Sequence, residues 1–112
     1  MRYLVAIHHP DDYDPFLRED EAMHQAIDDI NDEMVAAGIR IFVGGLQHIS
    51  NAHSVTTDAD GTVLIKKKPY LPTTEHVAGF WVLECATEEE ALEWGRKATV
   101  ACKAPVEVRP FH

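Results

Sequence analysis

The sequence of 112 residues has no long hydrophobic run and only two cysteines. Its longest apolar stretches, such as 4–7 and 80–83, are far shorter than the roughly 18 residues that would cross a membrane. The N-terminus lacks the basic flank and apolar core of a signal peptide, and Cys85 and Cys102 are too few for a disulfide framework. We therefore expect a cytoplasmic protein that does not enter a membrane.

Basic residues are also scarce, since 10 Lys and Arg stand against 19 Asp and Glu and give a net charge of −9. Proteins that bind nucleic acid usually carry clustered positive charge, so we expect no nucleic-acid partner. Most of the acidity lies in residues 1–36, where a solvated helix face and loop explain it. The length and composition predict one globular domain spanning 1–112.

Hydrophobic periodicity predicts four main strands, two helices and a hairpin. Gly38 is expected to end the first helix, Thr87 to begin the second, and Gly44-Gly45 to mark a bulge or a close backbone approach. The strands are predicted at 2–9, 39–46, 77–85 and 106–109, the helices at 19–37 and after Thr87, and the hairpin at 52–57 and 62–67.

This order of elements is typical of an α+β, ferredoxin-like βαββαβ fold with an inserted β-hairpin. Right-handed crossovers place both helices on the same face of the antiparallel sheet. The strands at 2–9 and 77–85 are apolar on both sides, so the face without helices must also be covered. We predict an obligate homodimer that packs sheet against sheet.

Several short segments together resemble the YCII-related family, including its branch with an Asp-Gly-Pro-Phe motif. The resemblance implies a dimeric α+β barrel built from two ferredoxin-like units, in agreement with the dimer expected from the sheet. The segments that carry it are Met1-Arg2-Tyr3-Leu4-Val5, Ala36-Ala37-Gly38, Gly44-Gly45-Leu46-Gln47, Gly79-Phe80-Trp81-Val82-Leu83-Glu84, Glu89-Glu90-Ala91-Leu92-Glu93-Trp94 and Val106-Glu107-Val108-Arg109-Pro110.

The chain departs from that family at two functional positions. The Asp-Gly-Pro-Phe motif falls on Lys67-Lys68-Pro69-Tyr70, which keeps the proline and an aromatic ring but replaces the acid with a base. Part of the family has a helix histidine and a distant aspartate proposed as an acid–base pair. Those positions fall on Ile27 and about Ala98, and neither side chain transfers a proton. The resemblance therefore implies no catalytic pair in this chain.

The seven histidines are the unusual feature of the sequence, because histidine both transfers protons near neutral pH and binds metals. Most of them lie near predicted strand ends. We predict His9 and His48 as proton carriers in a cleft where those ends converge, although the sequence leaves open whether His8 or His9 faces it. Asp20, His24 and Asp28 share one helix face, but pairing of charges in solvent explains them better than a metal does. We predict no metal site and no cofactor.

A small-molecule carboxylate is the predicted ligand, bound by Arg109, Tyr70 and His76. Arg109 would orient the carboxylate through a bidentate pair, or it would form a cross-subunit ion pair together with Glu107 on the same strand face. Two functions stay open at this point. One is an enzyme of isomerase or lyase type acting on a small organic acid, and the other is a non-catalytic binding or regulatory dimer.

Overall fold

The computed structural model describes residues 1–112 as six strands, three helices and a 3₁₀ turn at Ile49–Asn51. None of the helices combines the length and the apolar character that crossing a bilayer demands. The strands are β1 (Arg2–Pro10), β2 (Arg40–Gly45), β3 (Ser54–Thr57), β4 (Val63–Lys66), β5 (Glu75–Glu84) and β6 (Val106–Pro110). The helices are α1 (Pro15–Arg18), α2 (Glu21–Ala36) and α3 (Glu88–Cys102).

The main sheet has four antiparallel strands in the order β2-β5-β1-β6. α2 connects β1 to β2, and α3 connects β5 to β6, so each long helix links strands that are not neighbours in the sheet. β3 and β4 form a separate two-stranded sheet between β2 and β5 in the chain. The predicted ferredoxin-like α+β fold with an inserted hairpin is confirmed.

The core lies between one face of this sheet and the two long helices. Val5, Met34 and Leu83 are completely buried there, and Trp81 is nearly so. Burial of side chains of this size contributes about 1.5–3 kcal/mol each. The indole Nε1 of Trp81 donates a hydrogen bond of 2.9 Å to Oδ1 of Asn31 on α2, so its one polar atom is satisfied.

The opposite face of the sheet is covered by no element of the chain. Because side chains alternate along a strand, Leu4 and Val82 point away from the core that Val5 and Leu83 enter. Phe42 contacts Phe80 on this outer face and is 53% exposed. The outer face of the sheet is therefore largely apolar, as predicted, and the charged side chains of Glu107 and Arg109 lie on the edge strand β6.

The helix predicted at 19–37 forms as α2 and begins two residues late, because Asp20 is extended, with φ −128° and ψ 177°. The Asp20 carboxylate accepts a hydrogen bond from the Met23 amide and begins α2 at that point. Gly38 ends α2 in the left-handed region at φ 70°, while the Ile39 amide donates to the Met34 carbonyl in a Schellman motif. Thr87 caps α3 as predicted, through the Glu90 amide.

The predicted close backbone approach at Gly44 occurs against Gly79 of the neighbouring strand. A Cβ on Gly79 would lie 3.0 Å from the Gly44 carbonyl oxygen, so no larger residue fits there without displacement. The irregularity in the pairing of β2 falls instead at its beginning, between Arg40 and Phe42.

Candidate functional site

A cavity of about 300 Å³ opens where β1 ends and β5 begins. The segment after β2 and the loop that leads from β1 into α1 form its other walls. A volume of this size is at the lower end of small-molecule sites, which span about 300–1,000 Å³. Its polar side chains belong to His9, Asp11, Tyr13, Glu19, Gln47, His48 and His76.

His9 lies near the end of β1 and faces this cavity. Its ring stacks on Tyr13, with centroids 3.7 Å apart and planes inclined by 14°. Burial lowers the pKa of His9, and attraction to the Glu19 carboxylate opposes that effect. Neither ring nitrogen forms a hydrogen bond within the chain. His9 is therefore a neutral imidazole with free nitrogens at neutral pH.

Tyr13 and Glu19 hold the stacked ring in place. The Tyr13 hydroxyl donates a hydrogen bond of 2.9 Å to Glu19, and burial together with this bond raises the pKa of Tyr13 to about 12. Burial tends to raise the pKa of Glu19, but hydrogen bonds from His24 and Tyr13 outweigh it and lower that pKa overall. The pair is thus a protonated phenol and an ionised carboxylate beside His9.

His48 lines the same cavity, but both of its ring nitrogens are engaged by the protein. Nε2 donates to the Asp11 carbonyl at 2.8 Å, and Nδ1 accepts from the Ser50 amide at 3.1 Å. These partners fix the neutral Nε2–H tautomer and begin the 3₁₀ turn. Proton transfer by His48, as predicted from the sequence, would therefore require one of these two hydrogen bonds to break, because a protonated Nδ1 would face the Ser50 N–H.

His76 is held between two acceptors at the start of β5. Its Nδ1 lies 2.6 Å from the Asp11 carboxylate, and its Nε2 lies 3.1 Å from Oγ1 of Thr73. The Thr73 hydroxyl donates its own proton to the Glu75 carbonyl, so Oγ1 of Thr73 accepts a hydrogen bond from Nε2 of His76. His76 thus links the Asp11 carboxylate to the Thr73 side chain through its two ring nitrogens.

Arg109 and Tyr70, predicted as ligand-binding residues, do not line this cavity. Arg109 pairs with Leu4, five positions along β1 from His9, which corresponds to about 17 Å along the strand. Tyr70 is 73% exposed on the segment between β4 and β5. The predicted pocket that combines these residues with the histidines is thus not formed within one chain, and no Lys or Arg lines the cavity.

Three other cavity residues, Asp11, Tyr13 and Glu19, were absent from the sequence-based site. Asp11 and Tyr13 belong to the polar loop directly after β1, whose position beside a strand end was the available signal. The open question about the first strand is answered by the cavity walls, which include His9 and exclude His8. His24 contacts Glu19 instead of acting with Asp20 and Asp28, and no group of three or more His, Cys, Asp or Glu side chains is arranged to hold a metal ion.

Comparison with known proteins identifies the family of this chain. A search of the curated proteins finds no match. The family model described as the YCII-related domain matches residues 1–111, which is nearly the whole chain. The chain therefore belongs to the YCII-related family.

Proposed function

We propose that the cavity around His9 binds a small organic molecule and that His9 exchanges a proton with it, in a reaction of isomerase or lyase type. The observation that carries this proposal is the state of His9. Of the three imidazoles in the cavity wall, it alone has no hydrogen-bond partner in the protein. A neutral imidazole with a free nitrogen is a suitable general base near pH 7.

The surroundings of His9 support proton uptake from a bound molecule. As His9 accepts a proton, the ring becomes positive, and the ionised Glu19 nearby stabilises that charge. Tyr13 retains its proton because its pKa is about 12, and it orients the imidazole by stacking. The imidazolium then returns the proton to a different atom in an isomerisation, or to a leaving group in an elimination.

The charges of the cavity favour an uncharged substrate. Asp11 and Glu19 are acidic, and no Lys or Arg lines the cavity to bind a carboxylate. The small organic acid expected from the sequence depended on Arg109, which lies on another part of the sheet. We therefore propose an uncharged carbonyl or hydroxyl compound as the substrate class, with a carboxylate as the contrasting case to be tested.

The proposed assembly is a homodimer formed through the outer face of the sheet. Phe42, Phe80 and Val82 give that face an apolar centre which no helix of the same chain covers. Arg109 and Glu107 at its β6 edge supply opposite charges that a two-fold axis would bring to complementary positions. A self-complementary surface of this kind fits a second copy of the chain.

We also propose that the protein is cytoplasmic. Cys85 and Cys102 are both buried and both free thiols. Unpaired cysteines fit a reducing compartment, where thiols stay reduced.

Binding without catalysis is the second candidate, and one observation favours it. A catalytic imidazole is commonly oriented by a carboxylate hydrogen-bonded to its second nitrogen, and His9 has no such partner. In that case the cavity would recognise a ligand and the dimer would transmit its presence. Loss of turnover without loss of binding in a His9 variant distinguishes the enzyme from the binding protein.

The experiment is exchange of carbon-bound hydrogen with solvent, followed by proton NMR in deuterium oxide. Hydroxyacetone and lactaldehyde serve as uncharged probes, and pyruvate and lactate as carboxylates. We expect exchange with the uncharged probes, at a rate that falls by at least about 100-fold in His9→Gln. His53→Gln is the matched control, because His53 is exposed and lines no cavity described above. Equal rates in the wild type and His9→Gln would contradict the proposal.

A further inference from the structure

A second cavity, of about 180 Å³, adjoins the first between α2 and the strands β2 and β5. His9 and Ala78 line both cavities, so the two spaces meet at the proposed proton carrier. The apolar side chains in the walls of the second include Ile7, Ile27, Val43 and Trp81, together with glycine backbone. The two neighbouring spaces therefore differ in chemistry, one polar and one apolar.

Apart from His9, where the two cavities meet, the polar side chains of the second cavity are already engaged by other protein groups or are uncharged. Trp81 donates to Oδ1 of Asn31 at 2.9 Å, and Nδ2 of Asn31 donates to the Ile27 carbonyl at 3.0 Å. Burial raises the pKa of Cys102 to about 11, so its side chain is an uncharged thiol. A polar ligand group would find no free side-chain partner deep in this cavity.

We propose that the second cavity holds the apolar end of the ligand whose polar end contacts His9. The ligand class is then an amphipathic molecule, with an uncharged carbonyl or hydroxyl head and a hydrocarbon group about the size of a phenyl ring. The volume supports this size, because an engineered apolar cavity of about 150 Å³ accommodates benzene. This inference rests on the proposed function, since it takes His9 as the point where the head group binds.

Gly45 offers a way to fill the apolar cavity with little disturbance. It lies two residues after Val43 on β2, so a side chain at this position would point to the same face of the strand. A Cβ on Gly45 would meet no atom within 4 Å. Gly79 is unsuitable for substitution, because the Gly44 carbonyl occupies the space that a side chain at position 79 would need.

The test is a comparison of acetophenone with acetone, two ketones that differ in the phenyl group. Binding to the full chain is followed through the ring resonances of His9. We expect Gly45→Val to weaken acetophenone binding about tenfold, because its phenyl group loses apolar contact area, and to change acetone binding less than about twofold. Ala59→Val is the control, since it also creates a valine but on an exposed turn that does not line the cavity.

A second variant tests the same cavity in the opposite direction. Ile27→Ala enlarges it, and we expect binding of 2-acetonaphthone relative to acetophenone to strengthen about fivefold. If both ketones shift the His9 resonances and neither variant changes their relative affinities, the apolar site is wrong and the proposed function stands. If no ketone affects His9 at all, the proposed function itself is contradicted.

Discussion

Asp11 and His76 join the loop after β1 to the beginning of β5 through a hydrogen bond of 2.6 Å between Oδ1 and Nδ1. The His76 side chain is 16% exposed and that of Asp11 is 38% exposed, so the bond is partly screened from solvent. A second bond, from His48 to the Asp11 carbonyl, attaches the segment after β2 to the same loop. Asp11 therefore connects three walls of the cavity.

This arrangement predicts that Asp11 and His76 stabilise the fold as a pair. We expect Asp11→Asn and His76→Gln each to lower the free energy of unfolding by about 1 kcal/mol, with a coupling energy of similar size in the double variant. Urea unfolding of the four proteins measures the cycle. Asp12→Asn is the control, because Asp12 is exposed, and a change below about 0.5 kcal/mol is expected there. Additive effects would show that the bond contributes no stability.

His48 is expected to affect stability and not proton exchange, because its ring is fixed by Asp11 and Ser50. His48→Ala should lower the free energy of unfolding by about 1 kcal/mol, as loss of a capping side chain does. Solvent exchange of a bound ketone should change by less than about tenfold, because His9 remains free. A loss of exchange as large as in His9→Gln, with unaltered stability, would support the proton-carrier role predicted for His48.

The local parts of the fold were predictable because their causes lie close together in the sequence. Thr87 and Glu90 define the start of α3 within four residues, and Gly38 ends α2 because its backbone adopts positive φ. The strand ends also indicated that His9, His48 and His76 would lie near one another. Hydrophobic periodicity is therefore sufficient to predict the helices and strands, and to indicate which strand ends lie near one another.

The roles within the site depended on contacts between distant segments. The partner that fixes the His48 tautomer is the Asp11 carbonyl, 37 residues away. Arg109 was placed on the correct strand, but its distance from His9 follows from the antiparallel pairing of β6 with β1. The hydrophobic pattern fixes which face of the sheet a residue occupies, but a shift by two residues along the partner strand keeps that face. The distance between Arg109 and His9 therefore could not be read from the sequence.

The lowered pKa of His9 predicts a pH dependence of stability. Burial lowers this pKa below 6.5, so between the folded and unfolded values the unfolded chain binds more protons. The stabilising contribution is present above pH 6.5 and is lost as the pH falls through the folded value. Urea unfolding at about pH 7.5 and about pH 5.5 should therefore show a smaller pH effect in His9→Gln than in the wild type.

The same shift is measurable directly by NMR titration of the His9 ring. We expect its midpoint below 6.5, the ordinary value for histidine. Tyr13→Phe should keep the stacked ring but remove one hydrogen bond to Glu19. A His9 midpoint above 6.5 would contradict the neutral state on which proton acceptance depends.

The outer face of the sheet leads to the last prediction. Phe42 is 53% exposed in the single chain, so a charge at this position costs little in the isolated subunit but is buried without a partner in a sheet-to-sheet dimer. We expect the wild type to have twice the 12.6 kDa mass of the chain in light scattering, and Phe42→Glu to be a monomer. Val100→Glu is the matched control, since Val100 is 66% exposed on α3 and should leave the dimer intact. A wild-type monomer at micromolar concentration would contradict the proposed dimer, and the apolar sheet face that the helices do not cover would then have no explanation.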